Sequence, residues 1–305
     1  MGYLLITIVL LNICEIKAQE PLYDKIFFSN SRMERSFYYS ETSYKNPSWI
    51  KNVQGKLPVN DTEFFTPGNA LELNYVSAKE GEWFAKILFH PSRGMDFFTN
   101  PSDLVMRLMI KPGTALTELP AAAAGNSKKG SFKYLPLQQY IKDYQENKWL
   151  TIKIPLNEFE SNINDIDVIV FKQQSADGKE HTILIDQVEL LPSNLPSLNS
   201  TPSIITAKGY EKHIDITWRP VPGTEVKYVK IYRSADGKNF HPIGIQSPYI
   251  SRYTDYTGIT GKKYFYKITL ADKNYNESPA SAIVNASTRN MADEQLLDMV
   301  QEAHF

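Results

Sequence analysis

The chain has a single cysteine among its 305 residues, Cys14, and that residue lies in an apolar N-terminal stretch. With no second thiol there is no intramolecular disulfide, and a Cys-rich metal site is excluded as well. Histidine is scarce: His90, His181, His213, His241 and His304 are scattered, without the His-x-x-x-His spacing of a zinc hydrolase. The sequence holds no Gly-x-Ser-x-Gly elbow, no P-loop and no Gly-x-Gly-x-x-Gly. Neither sign of charge is in excess. The 33 Lys and Arg against 34 Asp and Glu leave a net charge of −1, without the clustered positive charge that nucleic acid or an anionic membrane requires. Lys128-Lys129 is the densest basic spot in its loop and reads as a solvated turn. No apolar run is long enough to span a bilayer.

What is present is an ordinary globular composition, 42% hydrophobic and 22% charged, in a chain long enough for two domains. Tyr3 to Ile13 is apolar apart from Thr7 and Asn12, and Ile16-Lys17-Ala18 offers a small residue before a cut at Ala18/Gln19. Residues 1–18 therefore read as a signal peptide, giving a secreted or periplasmic protein whose mature part has no cysteine. A buried N-terminal strand is the alternative. Cys14 raises a cell-surface lipoprotein option, which Ile13 before it and Glu15 after it suit poorly.

The pattern along the rest is that of short strands. In residues 203–289, Ile214–Trp218 alternates and Arg219-Pro-Val-Pro-Gly223 breaks it. Val226–Arg233 follows, with Tyr228, Lys230 and Tyr232 on one side and Val229 and Ile231 on the other. Asp236-Gly237 signals a hairpin turn. Further strands run through Phe240–Ile245, Thr254–Thr257, Gly261–Leu270 and Ala282–Ser287. Trp218, and Tyr264 and Tyr266 after Gly261, make the segment resemble a fibronectin type III domain. That resemblance implies a seven-stranded sandwich in which Trp218 and Tyr264 are structural, Tyr264 as a tyrosine corner whose hydroxyl ties to nearby backbone. There is no Arg-Gly-Asp tripeptide for integrin-type adhesion. Residues 192–202, rich in Pro, Ser and Asn, read as a linker, and the domain as a spacer.

Residues 20–191 are also mostly strand. Leu71–Tyr75 alternates; Trp83–Phe89 and Leu104–Ile110 do so less cleanly. Trp149–Pro155, Val168–Phe171 and Thr182–Leu190 follow, with a loop over 114–130 and a short helical piece over 137–144. The expected class is all-β: a jelly-roll sandwich followed by the second sandwich, with a short C-terminal helix. Lys148-Trp-Leu-Thr-Ile-Lys-Ile-Pro-Leu-Asn-Glu-Phe159 and Thr182-Ile-Leu-Ile-Asp-Gln-Val-Glu-Leu190 resemble the galactose-binding-like jelly rolls of carbohydrate-binding modules. The resemblance implies glycan binding, which takes flat aromatic faces and polar side chains for the hydroxyls. The candidates are Trp49 and Tyr44 in a polar loop, Trp83 at a strand edge, and Phe97 and Phe98 in the 93–100 loop; Trp149 reads as core. A satellite hydrophobic cluster under each loop is the competing reading. The resemblance also implies a structural Ca²⁺, for which Asp186 matches the last-strand motif, although Ile26–Asn30 lacks the acidic pair of the family's first strand.

The acid pairs Asp165/Asp167 and Glu158/Glu160 read as surface solvation, so no catalytic residue is assigned. From Asn290 the pattern changes: Leu296, Leu297, Val300 and Ala303 share one helix face, with Asp293 and Glu294 in the first turn. This layout resembles the N-terminal part of secreted glucoamylase-like hydrolases of Bacteroidetes, the group that includes glycoside hydrolase family 144. The resemblance implies a truncated chain whose partners are a glycan, of β-glucan class, and a catalytic (α/α)₆ domain that the sequence does not contain. A scaffold that only docks a catalytic domain, a cell-surface adhesion protein, and an enzyme whose site leaves no motif are the rivals.

Overall fold

The computed structural model describes residues 25–31, 33–89, 101–193, 198, 200–203, 205–221 and 225–290. The expected signal segment, part of the linker, and all but the first residue of the C-terminal helix lie outside these residues.

The first sandwich contains β1 (Lys25–Phe28), β2 (Ser40–Lys45), β3 (Trp49–Ile50), β4 (Val59–Asn60), β5 (Ala70–Val76), β6 (Glu82–Leu88), β7 (Asp103–Ile110), β8 (Ala121–Gly125), β9 (Leu135–Pro136), β10 (Trp149–Pro155), β11 (Val168–Lys172) and β12 (Glu180–Leu191). A seven-stranded sheet runs β10-β7-β12-β5-β3, with β1 also on β12 and β4 on β5; a five-stranded sheet runs β2-β6-β11-β8-β9. Alternate residues of both sheets, among them Tyr75, Trp83, Ile87, Leu108, Phe171 and Ile185, meet in one core. The 114–130 loop of the sequence reading contains a strand. Its Ala121-Ala-Ala-Ala-Gly125 run has weak β-propensity, yet it is buried between β11 and β9 because both its faces are packed. The helical piece is a single 3₁₀ turn, Leu137–Tyr140.

The second sandwich contains β13 (Ile205–Gly209), β14 (His213–Trp218), β15 (Val226–Ser234), β16 (His241–Gln246), β17 (Arg252–Tyr256), β18 (Lys263–Asp272) and β19 (Val284–Ser287). Its sheets are β13-β14-β17 and β16-β15-β18-β19. Trp218, Val229, Ile231, Tyr264, Tyr266 and Ile268 fill the space between them. Tyr264 is buried in this core, and Tyr266 makes a tie across the two sheets. Its hydroxyl donates to Asp255 Oδ2 at 2.7 Å, and Arg233 Nη1 donates to the same carboxylate at 3.0 Å. At the Asp236-Gly237 turn, Gly237 adopts φ +73°, and Asp236 accepts from the backbone N–H groups of Lys238 and Asn239.

The second sandwich is docked on the first. Tyr228, Ala271 and Tyr275 pack against Val105 and Leu191 on the outward side of the seven-stranded sheet. Arg107 lies 4.3 Å from the Phe65 ring centre and 5.0 Å from that of Tyr275, and its Nη2 donates to the Asn274 carbonyl at 3.2 Å. Lys227 Nζ donates to both oxygens of the fully buried Glu189 at 2.5 Å and to Tyr275 Oη at 2.8 Å. A bulge in β12 makes this possible. Gln187 adopts φ 52° and takes the extra position, so that Asp186 and Glu189 both face outward while Ile185 and Val188 face the core. Gln187 Oε1 accepts from Tyr275 Oη at 3.1 Å.

Candidate functional site

With one outward face of the first sandwich covered, the other carries the candidate site. On the five-stranded sheet the outward residues form cross-strand rows. Glu41, Lys86, Val170 and Ala123 make one; Ser43, Phe84, Lys172 and Ala121 make the next. Leu88, Val168 and Gly125 make a third. Val168, Val170 and Ala123 are a buried apolar floor under Phe84, Leu88, Phe132 and Tyr134. Phe132 and Tyr134 arrive from the segment between β8 and β9, and their rings meet edge-on at 6.3 Å.

The segment is fastened by surface acids. Asp167 accepts from Ser127 N at 2.6 Å and Ser127 Oγ at 2.9 Å; Lys129 pairs with Asp165 at 3.2 Å and Lys133 with Glu160 at 2.6 Å. Gly125 leaves room for the ring, since a Cβ there would stand 3.0 Å from Phe132. Cations border the aromatic surface: Lys86 Nζ is 5.0 Å from the Phe84 ring centre and 3.9 Å from Glu41, and Lys172 Nζ is 5.5 Å from the Tyr134 ring centre. Burial raises the Tyr134 hydroxyl above its ordinary pKa, keeping it a neutral donor. The surface combines ring faces with charged and hydroxyl groups, the two elements needed to hold a polyhydroxylated ring.

Residues 24–191, more than half of the chain, match the family model described as carbohydrate binding domain 30. The chain belongs to this carbohydrate-binding family. It is 43% identical over 309 residues to a protein of Parabacteroides distasonis named exo beta-1,2-glucooligosaccharide sophorohydrolase (non-reducing end), covering 99% of this chain and 43% of that protein. A crystal structure of beta-1,2-glucanase from Parabacteroides distasonis superimposes with a TM-score of 0.79 at 43% identity, over 93% of this chain and 41% of that one. A family 11 carbohydrate-binding module from Clostridium thermocellum, in complex with a beta-1,3-1,4-mixed-linked tetrasaccharide, gives 0.38 at 15% identity over 56% of this chain and 97% of the module. The chain thus spans less than half the length of the curated relative that it matches.

The carbohydrate-binding domain places the sequence candidates differently from one another. Trp83 is in the core at 1% exposure, 4.6 Å from the Tyr75 ring, with its indole N–H on Ser77 Oγ at 3.0 Å; it has no face to offer a sugar. Its neighbour Phe84 points outward instead. Trp49 is not in a loop. It is half-buried in edge strand β3, opposite Val76 in the seven-stranded sheet. Tyr44 is exposed on edge strand β2, opposite Trp83 and off the rows that carry Phe84. Phe97 and Phe98 lie outside the described residues. Trp149 is not between the sheets: it packs half-buried with Phe64, Ala70, Met109 and Leu184 on the outward side of the seven-stranded sheet, its ring 6.0 Å from Phe65.

The surroundings of Asp186 do not fit Ca²⁺. Its fully buried carboxylate accepts from the backbone N–H groups of Phe65 (3.0 Å), Thr66 (2.9 Å) and Gln187 (2.8 Å), so donors surround it where a hard cation needs oxygens. Burial pushes its pKa up to about 7 against the pull of these donors. The one trio of candidate metal ligands among the described residues is elsewhere: ligand atoms of Glu118, Asp177 and His181 lie within 4.8 Å of one another. There His181 Nε2 is 3.0 Å from Asp177 Oδ1 while the buried Nδ1 has no partner, so the ring lacks the second-side acceptor that usually orients a metal-bound histidine.

Proposed function

We propose that the 24–191 domain holds a β-glucan chain on the outward face of its five-stranded sheet, as the binding region of a secreted β-glucan-degrading enzyme. The observation that carries the reading is the aromatic and cationic surface of Phe84, Phe132, Tyr134, Lys86 and Lys172 over an apolar floor. Membership of a carbohydrate-binding family supports it, and the names of the two Parabacteroides relatives point to β-1,2-linked glucose as the first ligand to try. The second sandwich braces the opposite face. The hydrolytic step is proposed for a catalytic domain outside this chain, and export rests on the Tyr3–Ala18 segment.

Affinity electrophoresis and calorimetric titration of the chain against β-1,2-glucan test this. Retardation of the native protein that is lost in Phe84→Ala/Tyr134→Ala is the expected result. A native protein that ignores every β-glucan tried leaves scaffolding as the better account.

A further inference from the structure

A second concave feature adjoins this face. Residues of β1 and of the chain leading into β2 line an open hollow of ≈ 420 Å³, within the size range of small-ligand sites. Four large hydrophobic side chains that the described residues leave exposed gather on its lining: Ile26, Met33 (50%), Tyr38 (59%) and Tyr39. Exposed apolar groups scattered singly need no explanation, but four converging on one hollow do. The Tyr38 and Tyr39 rings stand 5.2 Å apart at 84°, so one forms a floor and the other a wall.

The hollow is built rather than collapsed. Ser31 Oγ donates to the Ser36 carbonyl at 2.7 Å, Ser31 N–H donates to Asn69 Oδ1 at 2.8 Å, and Asn69 N–H donates to Asn30 Oδ1 at 2.8 Å. These bonds hold Asn30, Ser31 and Ser36 in place beside the sandwich, so the shape exists before a ligand arrives. The hollow is also continuous with the sheet face. Leu88 lines it and packs with the Phe84, Phe132 and Tyr134 cluster as well, and Leu88 N–H donates to the Tyr39 carbonyl at 2.7 Å.

We propose that this hollow is a carbohydrate subsite for the end of a glucan chain whose following units lie on the five-stranded face; the proposal rests on the glycan-binding reading above. An open face meets every unit of a polymer alike. A bounded hollow with two perpendicular rings admits only a terminal unit, whose apolar C–H face packs on one ring while the other closes the side.

The test is titration of the full chain with a β-1,2-linked glucose disaccharide and with the long polymer, followed by calorimetry and by NMR shifts. Tyr38→Ala is expected to weaken the disaccharide about tenfold and the polymer by no more than about threefold, with Tyr38→Trp restoring the former. Phe84→Ala is expected to do the reverse. Disaccharide affinity unchanged in Tyr38→Ala, or disaccharide shifts confined to the Phe84 face, would overturn the subsite while leaving the face intact. A native protein that binds neither glycan overturns both readings at once. Thermal unfolding of each variant guards against loss of fold, since Tyr38 is surface-exposed.

Discussion

The first sandwich has two outward faces, and a different fate has befallen each. The outward side of the seven-stranded sheet carries Arg107, Asp186 and Glu189 beside Val105, Met109 and Leu191, and all of them are buried. The outward side of the five-stranded sheet carries Phe84, Lys86, Leu88 and Lys172, and these stay partly open to solvent. The contrast runs against simple expectation, because Arg107, Asp186 and Glu189 do not keep their face open. Charges can be buried only with partners: the docked sandwich supplies Lys227 for Glu189 and the Tyr275 ring and Asn274 carbonyl for Arg107, and the first sandwich's own backbone N–H groups serve Asp186. Rings left partly open have a cost in water, which a ligand with apolar C–H faces can relieve.

The largest expected effect falls on the closed face. Lys227→Met strands Glu189 in the interface and should cost about 3–5 kcal/mol, with calorimetry showing the shared unfolding transition split in two. An unchanged single transition would mean that the sandwiches are coupled by some other contact. Arg107→Met keeps volume but removes the guanidinium from Phe65, Tyr275 and the Asn274 carbonyl; a loss of about 2 kcal/mol is expected in chemical denaturation, with glycan affinity unaffected. On the open face the pattern should invert. Phe84→Ala should weaken glucan binding about tenfold while moving the melting temperature little, because Phe84 is already part-exposed. If Arg107→Met weakened binding as strongly as Phe84→Ala, the two faces would not be separate devices.

The smallest effect is a pH dependence at the rim of the closed face. Burial alone would raise the pKa of Glu277, but Lys230 at 2.8 Å and the hydroxyls of Tyr232 and Thr269 outweigh it and hold the carboxyl below its ordinary 4.5. A lowered folded-state value means that the ionised form is favoured by the fold. The stability that Glu277 contributes is therefore present above pH 4.5 and lost as the pH falls through the folded-state value. Denaturant midpoints of the native protein and of Glu277→Gln, compared between pH 7 and pH 3, should converge toward acid.

These two faces also explain where the sequence could be read and where it could not. The strands at 149–155 and 213–218 stand where alternation puts them, while 168–172 is a short apolar run buried on both sides. Alternation was blurred in β6 and β7, and for opposite reasons. β7 is covered on both sides, so Leu104-Val-Met-Arg-Leu-Met-Ile110 reads as almost continuously apolar. β6 has core residues on one side and the open site on the other, so Trp83 and Phe84 look equally suited to either role. Trp83 is buried while Phe84, one residue on, faces out, because a single step along a strand turns the side chain to the opposite face. The β15 side with Tyr228 and Lys230 is the more polar of the two, yet both residues are buried.

By itself the sequence determined an all-β chain of two modules, the positions of most strands, the Asp236-Gly237 turn and membership of a carbohydrate-binding family, because period, turn chemistry and family motifs are local properties of the chain. Only the tertiary structure decided that an alanine run is a central strand, that Phe84 and not Trp83 faces out, and that the second module closes one face of the first. A strand's own residues fix its two sides but not what each side will meet; that depends on neighbours far away in the chain, and it is they that make one face a joint and leave the other a surface.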